Sequence, residues 1–118
     1  MSNVNNPSHY NKFPHEVIEL SEQFDNNLGN VIKYIIRSPY KNNYHEDMLK
    51  AAWYLNRVAV KKQKLRTITK SIIDLATTFQ NPLLMEILEA VKKKDYSELE
   101  KLASFIKRTS TVPSGGKV

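Results

Sequence analysis

Residues 28–41 of the chain read LGNVIKYIIRSPYK, and the apolar side chains among them share one face of an α-helix. They recur at i, i+3, i+4, i+7 and i+8, a period that is typical of a helix and not of a strand. Proline at position 39 ends the pattern, because it cannot continue a helix. The stretch therefore predicts a helix over residues 28–38 with one buried face, formed by Leu28, Val31, Ile32, Ile35 and Ile36.

The opposite face of this predicted helix is polar and carries Asn30, Lys33, Tyr34 and Arg37, with Lys41 just beyond its end. Residues three or four apart are neighbours on a helix surface, so Asn30, Lys33 and Arg37 could converge on one anion. Two cations on a solvated face are the alternative interpretation, which needs no ligand. The pattern alone leaves both open.

Similar apolar seams along the rest of the chain predict an all-α fold, a compact bundle of five or six helices in a single domain over residues 1–118. Only three glycines and five prolines occur, which also favours helices. Asp25 is expected to end the first helix, Asn81 to cap the fifth, and Ser97 with Glu100 to form a capping box. The predicted helices cover about residues 14–26, 28–38, 45–64, 67–79, 82–91 and 95–106, followed by a flexible tail over 109–118.

The net charge of +6 is concentrated in the second half of the chain, because residues 61–118 hold twelve basic and six acidic side chains. The run Lys61, Lys62, Lys64, Arg66, Lys70 could meet nucleic acid, nucleotide phosphates or an acidic protein, or form a solvated helix end. The chain has no cysteine, which excludes disulfides and thiol catalysis. Without a membrane-length apolar run or a signal pattern, a cytoplasmic protein that does not enter the membrane is expected.

The sequence contains no Walker A loop, since Gly115-Gly116-Lys117 lacks the first glycine and the hydroxyl residue. One carboxylate set remains: Glu16 and Glu19 on the first predicted helix, with Glu46 and Asp47 at the start of the third. If the helices brought these together, they could hold Mg²⁺ against a phosphate. Such a set resembles that of all-α nucleotide pyrophosphatases of the MazG type, although Glu-x-x-Glu is common on helices.

Residues 7–58 together resemble the small bacteriophage family called SaV-like, of the DUF3310 type. The resemblance rests on PSHY at 7–10, EVI at 16–18, GNVIKYIIR at 29–37 with Lys41, and EDMLKAAWYL at 46–55. It implies a phage early protein. One branch of the family is a deoxynucleoside monophosphate kinase without a Walker loop, and another is the target through which a host abortive-infection system senses the phage. Residues 61–118 match nothing in that kinase.

Carried over by motif, the resemblance implies a set of functional residues in the first half of the chain. Those for nucleotide binding are His9, Tyr10, Asn30, Lys33, Tyr34, Arg37, Lys41 and Trp53; those for catalysis are Glu46, Asp47 and Lys50. The four cations would surround phosphates, and Tyr34, Trp53 or Tyr10 would stack on a base. A lone tryptophan on a helix is also a common core residue, so Trp53 has two interpretations.

The first functional hypothesis is therefore a nucleotide-binding protein that resembles a nucleoside monophosphate kinase, with Mg²⁺ as cofactor if it is an enzyme. The second is a counter-defence protein without catalysis, which sequesters a nucleotide signal or binds a host defence protein. The third is a nucleic-acid binder that uses Lys61 to Lys70. Small helical domains also tend to self-associate, so a homo-oligomer is expected.

Overall fold

The computed structural model describes residues 16–40 and 43–110 of the protein. The described residues contain six α-helices and a short 3-10 helix and no strand, which confirms the predicted all-α bundle. Three predicted site residues, His9, Tyr10 and Lys41, lie outside these residues, as do the start of the first predicted helix and most of the predicted tail. The elements are α1 (residues 16–21), α2 (Asn26–Arg37), the 3-10 helix (Ser38–Tyr40), α3 (Tyr44–Val60), α4 (Lys70–Thr77), α5 (Pro82–Lys92) and α6 (Tyr96–Ser110).

Helix α3 lies at the centre of the bundle and packs most extensively against α6, then against α2. Its buried face is rich in alanine, with Ala51, Ala52 and Ala59 each at most 3% exposed, so the neighbouring helices approach closely. Helix α5 covers α2 and α6 and also contacts α4. As predicted, the five apolar residues of α2 are all buried, at 0–3% exposure. One continuous core therefore joins both halves of the chain.

The boundary between α1 and α2 differs from the prediction. Helix α1 ends at residue 21 and not at about 26, and α2 begins two residues early, at Asn26. The reason is that Asp25 caps α2: its carboxylate accepts a hydrogen bond from the Leu28 N–H at 3.1 Å. Asp25 thus begins one helix instead of ending the other, because a capping carboxylate satisfies a free N–H of the first turn.

Helices α3 and α4 are both shorter than predicted. Helix α3 ends at Val60, because Lys62 adopts a left-handed conformation with φ of 53° and the Gln63 N–H turns back to the Val58 carbonyl at 3.0 Å. Helix α4 covers Lys70–Thr77 instead of 67–79. Its N-cap is Thr69, whose hydroxyl accepts from the Ile72 N–H at 3.3 Å.

The N-cap of α5 is confirmed, and the start of α6 is corrected. Asn81 accepts a hydrogen bond from the Leu84 N–H at 3.0 Å, as predicted. The cap of α6 is Asp95, which accepts from the Glu98 N–H at 3.0 Å, and not Ser97. Helix α6 also includes two residues of the predicted tail and ends at Ser110, which is 2% exposed. The Ser110 carbonyl accepts a hydrogen bond from the His45 imidazole at 2.8 Å, so the end of α6 is joined to the start of α3.

Gly29→Ala is expected to lower the free energy of unfolding, because a Cβ at position 29 would lie 2.9 Å from the Ser21 carbonyl oxygen at the end of α1. Overpacking lowers the free energy of unfolding by about 1–3 kcal/mol, and the higher helix propensity of alanine offsets only about 1 kcal/mol of that loss. We expect a net loss of up to about 2 kcal/mol by urea denaturation. The control is Asn56→Ala, an exposed position on α3, which should be neutral or slightly stabilising. Equal effects of the two substitutions would contradict the close approach.

Gln80→Gly is expected to have the opposite effect. Gln80 is exposed and follows α4 in a left-handed conformation with φ of 52°. A side chain in this region costs about 1–2 kcal/mol, against about 0.5–1 kcal/mol for the greater freedom of glycine in the unfolded chain. The substitution should therefore raise the free energy of unfolding by about 0.5–1 kcal/mol in the same assay. Gln80→Ala keeps the Cβ atom and should leave stability nearly unchanged.

Candidate functional site

The polar face of α2 is half-buried along its length. Asn30, Lys33, Tyr34 and Arg37 are each intermediate in exposure, because the apolar face beneath them packs into the core. The side chains of Asn30, Lys33 and Arg37 form no hydrogen bond or ion pair with any residue in the part of the chain that the structure describes. Arg37 lies in the last turn of α2, where the helix dipole favours a cation. Lys33, in the middle of the helix, has no such explanation.

A second helix contributes to this face through stacked aromatic rings. The rings of Tyr34 on α2 and Tyr54 on α3 are nearly parallel, at 14°, with centroids 6.1 Å apart. The Lys50 ammonium lies 5.7 Å from the centroid of the Tyr34 ring. Lys50 on α3 therefore borders the same tyrosine that stands between Lys33 and Arg37 in the sequence of α2. The structure thus places one cation of α3 over a ring of α2.

The three predicted catalytic residues, Glu46, Asp47 and Lys50, do not contact one another through an ion pair. Glu46 and Lys50, four apart on α3, form no ion pair, although the spacing would allow one. The Glu46 carboxylate instead accepts a hydrogen bond from the Asn43 amide at 3.4 Å. Asp47 is only 4% exposed, in the first turn of α3. Glu46, Asp47 and Lys50 thus have three different surroundings.

The four carboxylates considered for Mg²⁺ are not gathered into a site. Glu16 is half-buried and Glu19 exposed on α1, while Glu46 is exposed and Asp47 buried on α3. Within residues 16–40 and 43–110, no three His, Asp or Glu side chains are close enough to hold a metal ion. The described residues therefore do not bring the two pairs together as the antiparallel packing hypothesis required.

Trp53 is an exposed residue and not part of the core, with 59% of its surface accessible. The Arg57 guanidinium lies 5.4 Å from its ring centroid, and Tyr54 contacts it edge-on at 5.1 Å. Trp53 lines a groove with residues of α6, whereas Tyr34 lies on α2. The structure thus divides the predicted nucleotide-binding residues between two sides of α3. Tyr54 contacts the ring on each side.

The basic run after α3 holds the connection to α4 in place. Arg66 donates to the Thr67 and Gln23 carbonyls at 2.9 and 3.1 Å, and Lys70 pairs with Asp74 at 3.0 Å. Lys62 lies over the Tyr96 ring at 5.5 Å. Because α3 ends at Val60, Lys61 and Lys64 lie outside the helix that was predicted to cover residues 45–64. Much of this run therefore has an intramolecular role.

Sequence reasoning missed several residues that position these elements. The Tyr96 hydroxyl donates to the Gln63 carbonyl at 2.6 Å, and the Lys94 ammonium to the Leu65 carbonyl at 3.3 Å. Both contacts join α6 and its cap to the segment after α3, about thirty residues earlier in the chain. No local pattern signals such a long-range contact, so only the folded structure could show it.

Comparison with known proteins supports the DUF3310 part of the resemblance for the first part of the chain. Residues 4–56 match the model of a family described as a protein of unknown function (DUF3310). The match supports the assignment of this region to the DUF3310 family. It covers α1, α2 and most of α3, and every predicted site residue from His9 to Trp53 lies within it. No curated protein and no solved structure matches the chain.

Among the described residues, no helix combines the length and the apolar character that crossing a bilayer requires.

The exposure and the cationic neighbour of Trp53 can be tested by fluorescence quenching, because it is the only tryptophan of the chain. The Arg57 charge should concentrate iodide and repel caesium near the ring. Arg57→Glu is therefore expected to lower the iodide quenching constant and raise that of caesium, with neutral acrylamide nearly unaffected. Lys101→Glu, the same charge change at an exposed site on α6, is the control. Equal shifts in both variants would contradict the contact between Arg57 and Trp53.

Proposed function

We propose that this protein binds a nucleotide whose phosphates are held on the polar face of α2 by Lys33 and Arg37, with Lys50 of α3 beside them. The observation that carries the proposal is that Lys33 and Arg37, one helical turn apart and half-buried, make no hydrogen bond or ion pair with another described residue. Cations held near each other without a counter-charge repel, and an anionic ligand removes that repulsion.

The residue types suit phosphate recognition. A guanidinium can donate two parallel hydrogen bonds to phosphate oxygens, and an ammonium adds a compact positive charge. Asn30, one turn before Lys33, offers an amide donor and acceptor for phosphate or sugar. Half-burial strengthens these interactions, because the effective dielectric constant is lower there than in bulk water.

The base would be held by an aromatic ring on α3 or outside the described residues. Tyr34 already stacks on Tyr54 and has the Lys50 ammonium over its ring. Trp53, at 59% exposure, offers a more open ring surface. Because Trp53 faces α6 and not the cations of α2, we assign the task of stacking to Tyr10, and to Tyr34 the task of positioning Lys50.

Two outcomes of nucleotide binding remain as proposals. In the first, which follows from the resemblance to the phage kinase, the protein transfers a phosphoryl group between two nucleotides with Mg²⁺, using Glu46, Asp47 and Lys50. In the second, it retains a nucleotide signal unchanged, as a counter-defence protein would, or binds a host defence protein. Mass spectrometry of nucleotides incubated with protein and Mg²⁺ separates conversion from retention.

Nucleotide binding itself is tested by isothermal titration with a panel of mono-, di-, tri- and cyclic nucleotides. Arg37→Ala should weaken binding about tenfold or more, since a hydrogen bond to a charged group contributes about 1.5–3 kcal/mol. Lys101→Ala removes an exposed cation from α6, outside the proposed site, and should have no effect. The absence of heat with every nucleotide, or equal affinity of wild type and Arg37→Ala, would overturn the proposal.

A further inference from the structure

A groove runs between α3 and α6 on the side of α3 that carries Trp53. It has a volume of about 390 Å³ and is lined by Leu49, Ala52, Trp53, Asn56, Ala103, Ser104 and Lys107. The groove forms because the small side chains of Ala52 and Ala103 leave open space beside the Trp53 indole ring. A second depression of about 110 Å³ continues past Trp53 toward Val60 and Lys61.

Together the two depressions follow one stripe of α3. Leu49, Trp53, Asn56 and Val60 stand at i, i+4, i+7 and i+11, so they share a helix face. At 1.5 Å per residue this stripe is about 17 Å long, or three turns of helix. Trp53 and Val60 are 59% and 53% exposed, and Leu49 is half-buried. We call this surface, including the α6 residues of the groove, the α3–α6 groove.

The charged residues that line the α3–α6 groove are all basic. Arg57 and Lys61 line its second depression, and Lys107 lines the first. Between Asp47 and Asp74 the sequence has no acidic residue and seven basic ones. The α3 side of the groove therefore supplies cations and no carboxylate from Lys50 onward.

These features identify the partner by its chemistry. We infer that the α3–α6 groove binds an acidic amphipathic helix of a protein partner, with apolar side chains placed against Trp53 and Leu49 and carboxylates toward Arg57 and Lys61. Exposed tryptophan beside arginine is the composition of interface hot spots, and helical partners fill apolar grooves with residues at i, i+3, i+4 and i+7. This inference is independent of the nucleotide site on α2.

Two other occupants are disfavoured by the same observations. A second copy of this chain has a net charge of +6, so it would place positive charge against the cations of the groove, which repel it. Nucleic acid would be held chiefly through phosphates, but the groove has an apolar floor, and Arg66 and Lys70 of the basic run are bonded within the protein and do not line it. Both occupants become outcomes of the test.

The test is a selection from a displayed library of random 15-residue peptides on the full-length protein, with removal of peptides that also bind Trp53→Ala. Because Trp53 is exposed, this variant is expected to stay folded. The enriched peptides should be acidic, with apolar residues at helical spacing. A synthetic peptide from this set, without tryptophan, should shift the emission of Trp53 to shorter wavelength.

Affinity is then measured by fluorescence anisotropy of the labelled peptide. Trp53→Ala and Arg57→Glu should each weaken binding about tenfold or more. Phe105→Ala, which removes an apolar side chain that is 49% exposed on α6 but does not line the groove, and Lys101→Glu should not.

Three results would overturn the inference. The first is a selection that yields no peptide dependent on Trp53, or that enriches peptides without acidic, helical patterning. The second is tighter, Trp53-dependent binding of a thymidine oligonucleotide than of any selected peptide. The third is sedimentation of the wild-type protein as a dimer that dissociates on Trp53→Ala, which would assign the groove to a second copy.

Discussion

The packing of α3 against its two neighbours is the constraint on which the rest of this structure depends. Alanines on its buried face allow α2 and α6 to approach, and Leu55 and Val58 fill the space between them at 0–1% exposure. The hydrogen bond from His45 to the Ser110 carbonyl joins the start of α3 to the end of α6. The helix is covered on these two sides, and its candidate residues Glu46, Lys50 and Trp53 lie on the surface that remains, whereas Asp47 is buried.

This geometry separates two surfaces that the sequence presents as one set. On the α2 side, Tyr54 stacks on Tyr34, and the Lys50 ammonium lies over the Tyr34 ring. On the α6 side, Trp53 and Arg57 border a groove whose floor is alanine and leucine. The first surface suits a small anion and the second suits a larger apolar and acidic partner. Adjacent residues in one helix can therefore serve different ligands, since successive side chains point about 100° apart.

The sequence predicted the helices better than their ends. Strong apolar periodicity located the buried face of α2, because burial requires that spacing wherever the helix lies. The cap at Asn81 was also predicted, since its hydrogen bond is local. The predicted ends of α1 and α3 were wrong. Asp25 caps α2, and Lys62 adopts a left-handed conformation after α3, and the spacing of apolar residues indicates neither.

The sequence by itself determined the fold class, the buried face of each main helix and the cations on the polar face of α2. These follow from the order of residues over one or two helical turns. Only the tertiary structure decided that Lys50 lies over Tyr34, that Trp53 is exposed above a groove, and that the Glu46 and Asp47 pair does not meet Glu16 and Glu19 in a metal site. Each depends on how two helices are oriented to one another. That orientation is set by the summed packing of the whole core, so no local stretch of sequence specifies it.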